Sequence, residues 1–248
     1  MKKSPALAAL VCAVALAQLT ACGPDTTLGA ADGSKPQEKN AGSDVKPNGI
    51  QSRSAAEIYE AGTAANAKSH SFREVSKSTK AESDVRASAT ECVGKVHLLK
   101  DEISEINGSF EVIQKNNDAW MKVDNGFSKW AKEEMEIPAE KWLHGTPNTP
   151  LMKIALSYCH HKKFTTPDKG DSGMKKGAVT SLDGVPVVQV TSQGSSGTAT
   201  YSIATSGSPY LLERDVDQAN QSTIAYSEFG KPIDAKAPNG EIAEAPSH

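Results

Sequence analysis

The sequence predicts an α+β fold in which a long antiparallel sheet carries helices on one face. Segments with strand-like alternation lie before residue 124 and again after residue 177. Turn sequences such as Asn107-Gly108 and Asp183-Gly184 join neighbouring segments and favour hairpins. Helical patterns occur only at the start of the domain and in its middle. Runs of strands kept apart from helices are typical of α+β domains, whose helices pack on one sheet face.

The first third of the domain predicts one helix followed by a strand meander. Ser54-Ala55-Ala56-Glu57 has the S-x-x-E pattern of a capping box, which predicts that a helix begins there. In the segment at residues 92–100, Cys92, Val96 and Leu98 alternate with more polar residues, so one face of the predicted strand is more apolar than the other. Strands are expected at residues 71–79, 85–88, 92–100, 103–106, 109–115 and 119–123.

The middle section predicts helices, and the last third returns to strands. Thr149-Pro150 provides an N-cap and a proline at the first helical position. Apolar residues then recur at i, i+3, i+4 and i+7 and predict an amphipathic helix; they are Leu151, Ile154, Ala155 and Tyr158. Strands are expected again at residues 178–182, 186–191, 198–204, 210–217, 222–228 and 233–236.

The N-terminus has the layout of an export signal. Lys2 and Lys3 precede an apolar run over residues 6–19, which is too short to cross a bilayer of about 30 Å. Leu19-Thr20-Ala21-Cys22 resembles the bacterial lipobox, and this resemblance implies lipidation of Cys22 and cleavage after Ala21. Two or more acyl chains anchor a protein stably. An ordinary signal peptide, cleaved nearby without lipidation, is the alternative.

These features divide the chain into four parts. Residues 1–21 are expected to be a lipoprotein signal peptide, and residues 22–53 a lipidated N-terminus and disordered linker, because Gly, Pro, Asp, Lys, Ser and Asn dominate that segment. Such a linker would reach about 30 Å. Residues 54–240 are expected to form the folded domain, and residues 241–248 a disordered tail. The mature protein is therefore expected on the extracytoplasmic face of the cell membrane.

Two of the four cysteines remain available for a disulfide. Cys12 leaves with the signal peptide, and Cys22 takes the lipid. An even pair in an exported domain most often forms a disulfide, so Cys92 and Cys159 are expected to pair. The alternative is two buried free thiols.

Composition and motifs argue against several function classes. Removing residues 1–21 takes away two lysines and no acidic residue, so the formal net charge changes from −3 to −5. No basic stretch suggests nucleic-acid binding. The sequence contains no nucleophile elbow, metalloprotease motif or phosphate-binding loop, and His160-His161 lacks partners at metal-ligand spacing. We therefore expect no catalytic site, no metal, no cofactor, and a monomer.

Several short motifs resemble the actinobacterial LppX/LprAFG-type lipoproteins over about residues 55–240. They are Cys92–Val96, Asp118–Lys122, Lys141–Leu143, Leu182–Val188 and Tyr226–Ile233 with Ala237-Pro238. The resemblance implies a LolA-like fold: a strongly curved antiparallel sheet, or incomplete β-barrel, with helices covering the concave face over an apolar cavity. Some members of this family carry lipids or lipoglycans between membranes in that cavity.

If such a cavity is present, eight residues are expected to contact an acyl chain: Trp120, Trp130, Leu151, Ile154, Tyr158, Val188, Val190 and Ile203. The alternative for the tryptophans is that they only fill the core between helices and sheet.

Two functions follow as hypotheses. The first is a membrane-anchored, non-enzymatic carrier or holder of a hydrophobic ligand. The second is a lipoprotein scaffold that binds another envelope protein or a sensor through an exposed apolar patch or an accessible sheet edge. An enzyme is the least supported reading, because no site suggests one.

Overall fold

Twelve strands form one sheet in the computed structural model, which describes residues 46–100, 105–131, 136–159, 173–194, 197–217 and 221–246. The helices are α1 (Ala55–Lys68), α2 (Asn125–Ala131) and α3 (Pro150–Leu156), preceded by a short 3₁₀ helix (Ile50–Ser52). The strands are β1 (Ser71–Ser78), β2 (Ala81–Ser88), β3 (Glu91–Leu98), β4 (Gly108–Lys115), β5 (Asp118–Val123), β6 (Trp142–Gly145), β7 (Lys175–Leu182), β8 (Val185–Gly194), β9 (Gly197–Ala204), β10 (Leu211–Asp217), β11 (Ser222–Ser227) and β12 (Ile242–Glu244).

The sheet is large, curved and not closed into a barrel. Its strand order is β12-β6-β5-β4-β3-β2-β1-β11-β10-β9-β8-β7, so β12 and β7 are the two edges. Neighbouring strands are antiparallel except for β12, which pairs with β6 in parallel. The predicted fold class, a strongly curved antiparallel sheet with helices on its concave face, is confirmed.

Alternation along the strands gives the sheet one apolar face. Val85 pairs in register with Gly94, Gly94 with Val112, Val112 with Met121, and Met121 with Leu143. Successive side chains of a strand point to opposite faces, so this row faces one side of β2–β6. The four apolar side chains of the row are at most 1% exposed. The helices pack on this face.

Helix α1 packs on the part of the sheet formed by β8–β10. Its capping box is formed: the Glu57 N–H donates to Ser54 Oγ, and the Ser54 N–H donates to Glu57 Oε2. A Cβ at Gly62 would lie 3.0 Å from Ile203 Cγ1, so glycine lets the helix approach the sheet closely. The Asn66 amide donates to the Leu211 carbonyl and accepts from the Leu211 N–H. These contacts fix the helix against β9 and β10.

The buried apolar residues form two clusters. One, which we call the α1 cluster, joins α1 and the 3₁₀ helix to β1 and β8–β11. The other, which we call the α2–α3 cluster, joins α2 and α3 to β2–β6. In this second cluster α3 buries Leu151, Met152 and Ala155, whereas Ile154 is 51% exposed. The prediction that Ile154 lies on the buried stripe is therefore wrong, because this seven-residue helix contacts the sheet through positions i, i+1 and i+4.

The folded part begins earlier than residue 54. Pro47 forms a β-bridge with Ser206, and the Asn48 side chain donates to the backbone carbonyls of Ala204 and Gly207. Ile50 is 2% exposed. The expectation of disorder through residue 53 is wrong for residues 46–53, because an isolated apolar residue and a hydrogen-bonding asparagine attach this segment to the α1 cluster. Residues 22–45 lie outside the described residues.

The predicted disordered tail is partly a strand. Ile242 pairs with Trp142, Ala243 with Leu143, and Glu244 with His144. Lys141 Nζ lies 2.7 Å from Glu241 Oε1, and Ala243 and Ala245 pack against the α2–α3 cluster. The expectation for residues 241–248 is therefore wrong at residues 242–244, because small apolar residues and ion pairs attach the chain to an open sheet edge.

Candidate functional site

Four aromatic side chains form a continuous row from the surface into the α2–α3 cluster. Trp130 contacts Phe127, Phe127 contacts Phe110, and Phe110 contacts Tyr158, with ring centroids 5.6, 5.8 and 5.6 Å apart. All three contacts are edge-to-face, a favourable geometry for aromatic pairs. Trp130 is 47% exposed, whereas Phe127 and Phe110 are buried. We call these four residues the aromatic row.

The segment between β5 and α2 fixes the outer end of the aromatic row. Asp124 accepts two backbone hydrogen bonds, from the Phe127 N–H at Oδ1 and from the Ser109 N–H at Oδ2, both at 2.8 Å. A Cβ at Gly108 would lie 2.2 Å from the Phe127 nitrogen. Glycine is therefore required for α2 to lie this close to β4, and Phe127 is held over Phe110.

A disulfide fixes the inner end of the aromatic row. Cys92 and Cys159 are bonded, with their Cα atoms 6.0 Å apart. Cys92 lies on β3, and Cys159 follows α3 directly after Tyr158. The disulfide therefore holds Tyr158 against the sheet. Burial raises the pKa of the Tyr158 hydroxyl, so this group stays neutral at physiological pH.

Four of the eight predicted ligand contacts lie in or beside the α2–α3 cluster. Leu151 is 2% exposed, and Tyr158 packs against the same cluster. Trp130 and Ile154 lie on the outer surface of α2 and α3. The structure thus brings Trp130 and Tyr158 together through the aromatic row and places Leu151 in the core beside them.

The other four predicted contacts lie elsewhere. Val188, Val190 and Ile203 belong to the α1 cluster and are at most 1% exposed. Trp120 lies on the opposite sheet face from Met121, and its ring contacts His144 at 5.5 Å. The eight residues therefore do not line a single cavity. The sequence marked these residues as apolar or aromatic but could not show which cluster each of them joins.

A buried polar position lies on the helix-covered face between the two clusters. Glu74 is 4% exposed and pairs in register with Tyr226 on β11 and Val85 on β2. Burial, and the negative charge of Glu74, raise the pKa of the Tyr226 hydroxyl. The sequence analysis missed this position. The signal was an acidic residue at an inward position of β1, two residues after Phe72.

Two pockets lined by described residues are polar, and none of the eight predicted residues lines either. No group of three potential metal ligands occurs among the described residues. Within the same residues, no helix is long and apolar enough to span a membrane. Cys22 and His160-His161 lie outside the described residues.

Comparisons with known proteins support the fold. No family model matches the sequence, and no curated protein matches it. Among solved structures, LprF from Mycobacterium bovis matches 75% of this chain and 97% of its own, with 14% identity and a TM-score of 0.50. The lipoprotein LppX from Mycobacterium tuberculosis covers 73% of this chain and 98% of its own, with 14% identity and a TM-score of 0.47.

The match to LprF extends over nearly the whole of that chain, so it concerns the complete architecture rather than one motif. The match therefore confirms the fold that the sequence resemblance implied, a LolA-like fold of the kind seen in LprF.

Proposed function

We propose that this protein is a membrane-anchored, extracytoplasmic lipoprotein that binds an acyl chain of a lipid under α2 and α3. The aromatic row carries this proposal. A half-exposed tryptophan at its outer end continues into buried phenylalanine and tyrosine rings, which together form an apolar, aromatic surface between solvent and the sheet. Ligand sites are typically lined by apolar and aromatic side chains.

The side chains around the aromatic row suit a ligand with few polar atoms. Leu151, Met152 and Ala155 of α3 face the same cluster, and Tyr158 supplies one neutral hydroxyl. Ile154 on α3 and Trp130 on α2 are large apolar side chains that are about half exposed. We propose no catalytic role for these groups.

Replacement of Trp130 tests the acyl-chain site. In a chain lacking residues 1–22, Trp130→Ala is expected to weaken binding of the fluorescent fatty acid cis-parinaric acid at least about fivefold, because losing an interface tryptophan often costs 1 kcal/mol or more. Trp142→Ala is the matched control, since Trp142 lies on the opposite sheet face beside Lys122. Equal effects of the two variants would count against the site.

The anchor is tested separately. Cys22→Ser is expected to prevent lipidation and lipobox-dependent cleavage, so the precursor keeps its signal peptide and lacks thioether-linked lipid by mass spectrometry. Mature protein of normal size from this variant would refute the anchor while leaving the acyl-chain site open to its own test.

A second function, a scaffold for another envelope protein, is favoured by edge strand β7. Residues 175–181 are exposed, and Val179 is 56% exposed. An open edge strand can accept a strand from another protein. Val179→Pro is expected to abolish a specific crosslink in intact cells if this function operates, and no specific crosslink in the unmodified protein would exclude it.

A further inference from the structure

A polar groove of about 480 Å³ lies on β9–β11, and none of the residues of the aromatic row lines it. Its volume is within the range of small-molecule sites. Six of the seven lining residues carry a hydroxyl, amide or carboxylate group. The lining residues are Thr198, Thr200, Asp215, Val216, Asp217, Gln221 and Thr223.

The polar residues are arranged in cross-strand rows. Thr200 of β9 pairs in register with Asp215 of β10, and Asp215 pairs with Thr223 of β11. Two residues further along the same strands, Thr198 pairs with Asp217. Because residues two apart in a strand share a face, these side chains point to the same side of the sheet. The groove is therefore built into the register of three strands.

This side is opposite to the helices. Tyr201 contacts Tyr59 of α1, with ring centroids 4.7 Å apart. Thr200 precedes Tyr201 in the strand and so points away from α1. A ligand in the groove would therefore occupy a different surface from the aromatic row, and this inference does not depend on the acyl-chain site.

The chemistry of the groove disfavours two ligand classes. An acyl chain would find little apolar surface, because the one apolar lining residue, Val216, lies between Asp215 and Asp217 in the strand, so its side chain points to the opposite face and is buried. A phosphate or carboxylate would approach Asp215 and Asp217, and like charges repel. Burial and the nearby charges of Asp215 and Asp183 raise the pKa of the Glu213 carboxyl, which is consistent with a negative electrostatic potential at this surface.

The remaining groups match a ligand with several hydroxyls. Carboxylates accept hydrogen bonds from hydroxyls, threonine both donates and accepts, and a glutamine amide does both. The Thr223 hydroxyl already donates to Asp215 Oδ1 at 2.8 Å, which orients this carboxylate. We propose that the groove binds a neutral carbohydrate, with Asp215 and Asp217 accepting from sugar hydroxyls and Thr198 and Thr200 completing the contacts.

The experiment titrates the mature, lipidated protein in detergent micelles and follows amide shifts by NMR. The probes are cellotetraose, mannotetraose and chitotetraose, and then octyl β-glucoside, calcium chloride and spermidine, each alone. We expect at least one carbohydrate to shift amides in residues 198–200, 215–217 and 221–223. Shifts with a free tetrasaccharide identify a polysaccharide as the source, and shifts with octyl glucoside only identify a glycolipid headgroup.

Two variants locate the effect. Asp215→Asn and Thr200→Val are each expected to weaken carbohydrate binding about tenfold, because each removes a hydrogen bond to the ligand. Asp234→Asn, at an exposed carboxylate paired with Lys236, is the control and should leave binding unchanged. The proposal is overturned if no carbohydrate binds, if calcium or spermidine alone gives the same shifts, or if the control weakens binding equally.

Discussion

At the residue scale, His144 links the C-terminal strand to the rest of the sheet. Its Nε2 lies 3.0 Å from Asp118 Oδ1 on β5, and its Nδ1 lies 3.3 Å from Glu244 Oε1 on β12. Both ring nitrogens donate only when the imidazole is protonated. The hydrogen bond to Asp118, and then that to Glu244, raise the pKa of His144 above its usual value. The charge of His144 therefore stabilises the edge of the sheet.

The attachment of β12 should weaken as the pH rises. Because the pKa is higher in the folded chain, this stabilisation is complete below about pH 6.5, the unfolded value, and is lost as the pH rises through the folded pKa. The Ala245 N–H donates to the His144 carbonyl. We expect the Ala245 amide to exchange faster, relative to its intrinsic rate, at pH 8 than at pH 6, as measured by NMR hydrogen exchange.

His144→Gln should remove this pH dependence. His97→Gln is the control and should preserve it, because His97 on β3 is hydrogen-bonded to Ser109 on β4 and does not contact β12. A His144→Gln chain that keeps the full pH dependence would contradict the role of His144.

Individual residues differed in how far the sequence could predict them. The Cys92–Cys159 pairing followed from a count of cysteines in an exported chain and needed no geometry. Alternation with Phe72 was a signal that Glu74 faces inward, but its burial could not be predicted, because it depends on strands β2 and β11, which lie on either side of β1 and are separated from each other by more than 100 residues. Ile154 was predicted to be buried because helical periodicity identifies an apolar stripe on α3, but it does not show which part of that stripe contacts the sheet.

At the element scale, the orientation of α3 decides which of its apolar residues support the fold. Leu151→Ala is expected to lower the free energy of unfolding by about 2–5 kcal/mol, the usual range for a leucine truncated in a core. Ile154→Ala, on the exposed side of the same helix, should change it by less than about 0.5 kcal/mol. Urea unfolding of both variants checks this, and a reversed order would show that α3 is rotated.

The disulfide joins two elements that are 67 residues apart in sequence. In the chain-entropy model, removing it lowers the free energy of unfolding by about 4 kcal/mol. We expect this loss on reduction or in a Cys92→Ala, Cys159→Ala double variant, measured by urea unfolding. Alkylation of both cysteines in the unreduced, unfolded protein, detected as an intact-mass increase, would show that the bond does not form.

Short elements at the sheet edge escaped prediction for a physical reason. Strand β6 has four residues and β12 has three, too few to display a period of two. Residues 233–236 alternate as a strand would, yet only Ala235 is buried and the segment forms no strand. The pairing of such segments depends on an open neighbouring edge, which is a tertiary property.

At the scale of the whole molecule, the family resemblance carried by the sequence motifs implied the curved sheet with helices on its concave face, and alternation predicted most strands. Alternation alone could not have given the curvature, since it specifies faces and not the angle between strands. The division of the interior into two apolar clusters was also not predicted. It places the candidate acyl-chain site under α2 and α3 alone, because Val188, Val190 and Ile203 pack with α1.

We claim that this protein binds the acyl chain of a lipid, and the decisive measurement is solvent extraction of the purified chain lacking residues 1–22, followed by lipid mass spectrometry. We predict a co-purifying lipid with at least one acyl chain in the unmodified chain, and much less of it in Trp130→Ala than in Trp142→Ala. An extract that contains no lipid, or only a polar metabolite, together with no saturable binding of cis-parinaric acid, would contradict the claim.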